Sequence, residues 1–398
     1  MRPLVKKQYI LPFVLITSLF FLWGAAHSIL DVLNKHFQLV IPGMNHAHSS
    51  MVQVMFYLGY FVMAIPAGII IDRRGYRTGV IVGLLLYGFG ALLFWPGAQI
   101  MSFEFFLMSL FIIACGLVFL ETAANPYVTE LGDVETAASR LNLAQSLNGL
   151  GCICGPLFGG LLLFSDGGNE RIALPYVVMG IVVLAVALLF TRVKLPEIAH
   201  QDEHETKATA EKHRISSLFR NKGFLFGLFA LFSYEVSEIS INSFFINYVA
   251  DGGWMNARDA SIALSFGGLS LFMLGRVLGS FIMQHVASGR VLRVCAIGTF
   301  ITTLAVVLNM GVLSLGALVL IYVFESIMFP TIFALSLKDL GPLTKRASSL
   351  LMMTPIGGAV GPLMMGLVAD ASTMSVAFIV PLIGFANVAA YAFSDKKV

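Results

Sequence analysis

Charge is what this sequence has least of: Asp, Glu, Lys and Arg make up 12% of its 398 residues, against about 25% in soluble chains. An ordinary soluble domain is excluded, because 58% of the residues are hydrophobic and the mean hydropathy is +0.86. Alternating ten-residue strand patterns are missing too, which excludes an outer-membrane barrel; the apolar runs are about 20 residues long, the length of a helix crossing hydrocarbon. The net charge is only +3, and the basic residues lie between apolar runs rather than in one patch, which sets a nucleic-acid partner aside. The four cysteines, Cys115, Cys152, Cys154 and Cys295, sit in apolar segments without zinc or redox spacing, so no disulfide framework is expected. No His/Cys/Glu set has ligand spacing in any span, which argues against a membrane enzyme and against a resident metal.

What remains is an all-α polytopic membrane protein. Bounding the apolar runs by charges and Gly/Pro clusters predicts twelve transmembrane helices, near 9–34, 50–71, 78–98, 101–127, 139–164, 173–193, 222–250, 259–285, 291–312, 313–337, 346–369 and 373–393. The first run follows Lys6 and Lys7 as a signal peptide would, but it is too long and Ala25-Ala26-His27 is a poor cleavage site, so it counts as span 1. With the N-terminus inside, 21 of the 25 Lys and Arg residues fall in inner segments. The outer loops hold Lys35, Arg171 and Arg258, and Arg276 lies within span 8. This bias predicts an inner-membrane protein with both termini cytoplasmic. Residues 194–221, with Pro196 and the mixed-charge run Gln201-Asp202-Glu203-His204-Glu205, read as a cytoplasmic linker between halves 1–193 and 222–398.

Two motifs repeat across that linker. Span 4 carries Glu121-Thr-Ala-Ala-Asn125-Pro126 and span 10 carries Glu325-Ser-Ile-Met-Phe329-Pro330, an offset of 204. The following spans carry Gly155-Pro156-Leu157 with Gly160 and Gly361-Pro362-Leu363 with Gly366, an offset of 206. A duplicated six-helix unit follows, the layout of transporters that bind solute near the midplane.

An ionised side chain in hydrocarbon costs at least about 2.5 kcal/mol, so every intramembrane acid is a functional candidate. Here the acids recur on every third span: Asp31 in span 1, Glu121 in span 4, Glu235 and Glu238 in span 7, Glu325 in span 10. Helical spacing gives them polar neighbours. His27 lies four before Asp31 and Asn125 four after Glu121; Tyr234, Glu238 and Asn242 form an i, i+4, i+8 stripe; Asn142, Gln145 and Asn148 step by three along span 5. Such groups hydrogen-bond sugar hydroxyls, although buried amides also join helices to one another. Trp23, Tyr234 and Phe329 could stack on a pyranose ring, whereas Trp95 and Trp254 read as interfacial.

The loop after span 2 reads Gly68-Ile-Ile-Ile-Asp72-Arg73-Arg74-Gly75-Tyr76-Arg77. Gly75 suits the turn, Gly68 close helix packing, and Asp72 a helix end or an arginine partner. This string resembles the loop motif of the major facilitator superfamily. Further stretches are similar to the fucose:proton symporter family within it, along nearly the whole chain. They are Phe20-Phe21-Leu22-Trp23-Gly24 with Asp31, Gly59-Tyr60-Phe61 with Ile65-Pro66-Ala67-Gly68, and Leu120-Glu121-Thr122-Ala123-Ala124-Asn125-Pro126. Arg140-Leu-Asn142-Leu-Ala-Gln145 with Asn148, and Phe329-Pro330-Thr331-Ile332-Phe333, complete the set.

The resemblance implies a major facilitator fold, with the four acid-bearing spans facing a central cavity. It implies cofactor-free secondary transport, with Asp31 as the protonation site, Glu121 as a substrate-binding and proton-linked residue, and the span 5 amides lining a sugar pocket. Two positions depart from the family pattern: Leu30 stands where an Asn often precedes the acid, and Glu325 stands where a neutral residue is usual. The expected protein is a monomer in the lipid bilayer that imports a fucose-like hexose with a proton. Sodium coupling, an amino-sugar substrate and export are the alternatives. A receptor or scaffold would have no use for acid on all four helices.

Overall fold

The computed structural model describes residues 5, 7–131, 137–165, 170–192, 215–283, 285–338, 340, 343, 347 and 350–394. Among the described residues there is no strand. The first helices are α1 (Ile10–Val40), α2 (His46–Ser49), α3 (Met51–Arg74), α4 (Tyr76–Leu92), α5 (Phe94–Ile100), α6 (Phe103–Glu130), α7 (Ala137–Leu163) and α8 (Glu170–Arg192). Then come α9 (Lys222–Asp251), α10 (Ala257–Ala263), α11 (Ser270–Met283), α12 (Ser288–Val307), α13 (Val312–Glu325), α14 (Met328–Leu337), α15 (Gly357–Ala371), α16 (Met374–Ala377) and α17 (Ile379–Ser394). A π-helical turn, Leu264–Leu269, joins α10 to α11.

Eleven helical stretches among the described residues are long and apolar enough to cross a bilayer. The twelfth region, expected at 346–369, is built differently: α15 is 15 residues long and follows a short 3-10 turn at Thr354–Ile356. Residues 193–214 of the expected linker lie outside the described residues. From Ile215 a 3-10 turn leads into α9, capped by Asn221, whose Oδ1 accepts from Phe224 N at 3.1 Å. Large apolar side chains such as Phe89, Ile181, Phe281 and Ile301 are exposed, a surface suited to hydrocarbon and a liability in water.

One expected boundary is corrected. Lys35 does not lie in an outer loop; α1 continues to Val40, and Lys35 is only 4% exposed. It stands one turn after Asp31 on the same helical face, a spacing at which opposite charges favour the helix, so this charge does not mark the helix end.

Contacts gather the chain into two compact units. Unit 1 comprises Met1–Phe37, Met51–Ala199 and Ala257–Ser265; unit 2 comprises Gln38–Ser50, His200–Asn256 and Phe266–Val398. Their internal packing repeats. In unit 1, α4 packs on α6 and α8; in unit 2, the corresponding α12 packs on α13 and α17. A Cβ at Gly151 of α7 would overlap the Phe21 carbonyl of α1, and one at Gly361 of α15 would overlap the Val236 carbonyl of α9. These glycines belong to Gly151-x-x-x-Gly155 and Gly357-x-x-x-Gly361, small-residue pairs that let membrane helices touch backbone to backbone.

Each unit also closes its last helix with an arginine. Arg77 of α4 donates to the Phe190 and Thr191 carbonyls at the end of α8, at 3.4 and 2.6 Å; Arg293 of α12 donates to the Ala392 carbonyl near the end of α17, at 3.1 Å. Those carbonyls have no helical donor and carry the negative end of the helix dipole. Within unit 2, Asp370 of α15 accepts from His46 N and Ala47 N, each at 2.8 Å, and so holds the start of α2.

Candidate functional site

In unit 1, α1 carries Trp23, His27 and Asp31 in order along its length. Asp31 is buried, and its charge reaches the buried Tyr176 of α8. Glu121 of α6 is half-buried and lines a recess with Leu19, Phe20, Trp23, Leu120 and Ala124. Tyr60 of α3 is within electrostatic reach of Glu121 and lies against Trp23. The recess presents one carboxylate and one indole, and the Tyr60 phenol adjoins them, a set that suits hydroxyls on an apolar ring face.

The polar neighbours divide by what they touch. His27 Nε2 lies 2.6 Å from the Tyr57 hydroxyl of α3, with Phe56 edge-on to its ring. Gln145 Nε2 points at Asn125 Oδ1 at 3.5 Å, the long limit for a hydrogen bond. Asn148 is committed elsewhere: its Nδ2 donates to the Phe20 carbonyl at 3.2 Å, and its Oδ1 accepts from the Cys152 thiol at 3.8 Å, tying α7 to α1. The side chains of Asn142 and Asp72 lie outside the described residues. Tyr57 escaped the sequence reading. The signal was its place three residues before Tyr60, on the same face of α3.

The loop motif behaves in parts. Gly75 has φ +82° and makes the turn between α3 and α4. Arg73 and Arg74 are exposed, and Arg77 caps α8. Gly68 does not mediate close packing: among the described residues nothing lies within 4 Å of where its Cβ would be, because α3 turns an open face outward there.

In unit 2 the stripe on α9 brings buried Tyr234, half-buried Glu238 and buried Asn242 toward a broken helix. Here α13 stops at Glu325 and α14 resumes at Met328. Pro330 has no N–H to give to the Ser326 carbonyl four residues earlier. Arg276 of α11 replaces it, Nε to Ser326 O at 3.2 Å, while Tyr234 donates its hydroxyl to Glu325 O at 3.2 Å. Side chains thus satisfy two carbonyls at the break, as membrane interiors require. Glu325 is fully buried, and among the described residues neither of its carboxylate oxygens has a hydrogen-bond partner; the same holds for Asn242 Oδ1. Phe329 lies 6.3 Å from Tyr234 and stacks on Phe333. Glu235, one turn from Glu238, is buried.

Two repeated bundles of helices long and apolar enough to span a membrane, each with buried acid, define a polytopic protein of the major facilitator type. The chain belongs to the Major Facilitator Superfamily, whose family pattern matches residues 9–354, and within it to the fucose:proton symporter family. It is 36% identical over 411 residues to the L-fucose-proton symporter of Escherichia coli (strain K12), spanning 97% of this chain and 93% of that one. It is 33% identical over 403 residues to a glucose/galactose transporter of Brucella abortus biovar 1 (strain 9-941), spanning 98% and 96%. Among solved structures, the transporter FucP in its outward conformation aligns with a TM-score of 0.70 at 36% identity over 97% of this chain and 99% of that one. A D-xylose-proton symporter aligns at 0.79 with 12% identity over 96% of each chain, a likeness of fold alone.

Proposed function

We propose that the protein is a secondary active transporter, not an enzyme, that imports a hexose of the fucose, glucose or galactose class together with a proton. The observation that carries this reading is Glu121 beside Trp23 and Tyr60 in unit 1, with Asp31 buried on the neighbouring α1. The near full-length relatives named for L-fucose and for glucose and galactose support the same solute class. In this mechanism Asp31 takes up and releases the coupling proton. Glu121 accepts hydrogen bonds from sugar hydroxyls, Trp23 covers an apolar ring face, and Asn125 and Gln145 trade their weak mutual contact for bonds to the sugar.

The chain works as a monomer by alternating access of two halves, 1–193 and 222–398, in a bacterial inner membrane with both termini cytoplasmic. Purified protein in proteoliposomes tests the reading with labelled L-fucose, D-glucose and D-galactose. An imposed inward proton gradient should drive accumulation of at least one sugar, and a sodium gradient should not. Accumulation driven by sodium alone would assign another coupling ion; failure to move any of the three would retire the hexose class.

A further inference from the structure

Around the helix break of unit 2 the described residues set several acids against a single nearby cation. On α9 stand Tyr234, Glu238 and Glu235, in that order around the helix; Glu325 ends α13, and among the described residues Arg276 answers them from α11. Arg293 of α12 is turned away, donating to Ala392 O beside Phe393. Arg276 interacts electrostatically with Glu238, whereas the charge that Glu325 meets is that of Glu238, of its own sign. The Arg276 Nε is occupied by Ser326 O, and its guanidinium lies over the Phe272 ring at 4.7 Å. Among the described residues Glu325 therefore has no counter-charge and no donor, and its side chain is sealed from solvent. An ionised carboxylate in that position would have nothing to replace its lost hydration.

We propose that Glu325 and Glu238 form a second proton-carrying site, in unit 2, with the proton resident on Glu325 and Arg276 neutralising Glu238. Nothing in the transport reading through Asp31 and Glu121 requires such a site. A way out for the proton is built in. Tyr234 adjoins both residues: its hydroxyl donates to the Glu325 backbone carbonyl rather than to the carboxyl, and it neighbours Glu238; its single proton can serve only one acceptor at a time. Glu238 is half-buried and Arg276 exposed, so exposure rises stepwise from the sealed carboxyl outward. The transfer is balanced: the O–H bond on Glu325 breaks, one forms on Glu238, and Glu238 releases the proton to water, with no redox partner.

Infrared difference spectroscopy of the reconstituted protein, titrated with pH and without any solute, tests the site directly. The wild type should show a protonated-carboxyl band at neutral pH that Glu325→Gln removes and that disappears on alkaline titration. Glu238→Gln should keep the band but make it vanish at lower pH, because a repelling neighbour is gone and Arg276 is left unpaired. A band unaffected by Glu325→Gln, or one that never titrates while the protein stays folded, would overturn the proposal. Should Glu325→Gln fail to fold, an unmoved titration in Glu238→Gln overturns it equally. A second arm rests on the transport reading: with L-fucose, D-glucose or D-galactose, whichever is carried, Glu325→Gln should lower the protons moved per sugar relative to wild type. An unchanged ratio would make the site a proton store and refute carriage. If no sugar is carried, the transport reading fails while the infrared result still decides the site.

Discussion

In unit 1 the acid of the repeated motif, Glu121, sits on the unbroken α6, half-buried beside a recess walled by Trp23. In unit 2 its counterpart Glu325 ends α13, sealed from solvent, where the helix stops and restarts. Both motifs place a proline five residues after the acid, and each proline deprives the carbonyl four residues before it of a donor. In α6 the helix runs on past Pro126 to Glu130. In α13 two side chains from neighbouring helices take over the carbonyls, and the helix opens. The two copies of the motif thus share their packing and differ in their chemistry: one leaves its carboxylate half-buried, the other hides it.

If that division is right, the largest effect belongs to unit 1. Asp31→Asn, which mimics the protonated acid, should abolish accumulation against a gradient while leaving exchange of labelled for unlabelled sugar largely intact. Uptake and exchange assays on the same vesicles separate the two, and full accumulation by this variant would remove Asp31 from the proton path.

Next in size comes Glu121→Gln. Hydrogen bonds to a charged acceptor contribute about 1.5–3 kcal/mol each, so sugar affinity should fall about 10- to 100-fold, read by ligand-induced tryptophan quenching or calorimetry. Unchanged affinity would give Glu121 a structural role and erase the contrast with Glu325.

How much of this was written in the sequence depends on how local the physics is. Span positions, the duplicated motifs and the acids on every third span follow from hydropathy and spacing along the chain. The turn at Gly75 was also legible, since its φ of +82° is what glycine supplies. Lys35 misled because a charge is the usual mark of a helix end, and only the acid one turn earlier explains why it is not one here. Asn148 illustrates the other limit: periodicity puts its amide on the same face as Gln145, but only the approach of Phe20 O reveals that it holds α1. The helix break in span 10 left a trace in Pro330, yet Pro126 left the same trace in an intact helix. What decides between them is Arg276 and Tyr234, from other helices.

A third test asks whether the packing is as equivalent as the chemistry is not. Gly151→Ala and Gly361→Ala each push a methyl group into a carbonyl of the facing helix. Overpacking of this kind costs about 1–3 kcal/mol, and the two variants should lower thermal stability in lipid by similar amounts. A large loss for one and none for the other would show that the duplicated glycines no longer do the same job.

The smallest effect is expected at the helix ends. Arg77→Ala and Arg293→Ala each leave the last carbonyls of α8 or α17 without their side-chain donor. A cation at a helix C-terminus contributes about 0.3–1 kcal/mol, so each variant should unfold slightly earlier, with transport little changed. Because each arginine bonds inside its own unit, the double variant should show the sum of the two losses, as independent sites do. Lysine at either position should restore part of the loss, since it keeps the charge but not the two-donor geometry by which Arg77 spans Phe190 O and Thr191 O. A double variant markedly less stable than the sum would mean that the two caps are coupled, and that the units cannot be treated as separate repeats.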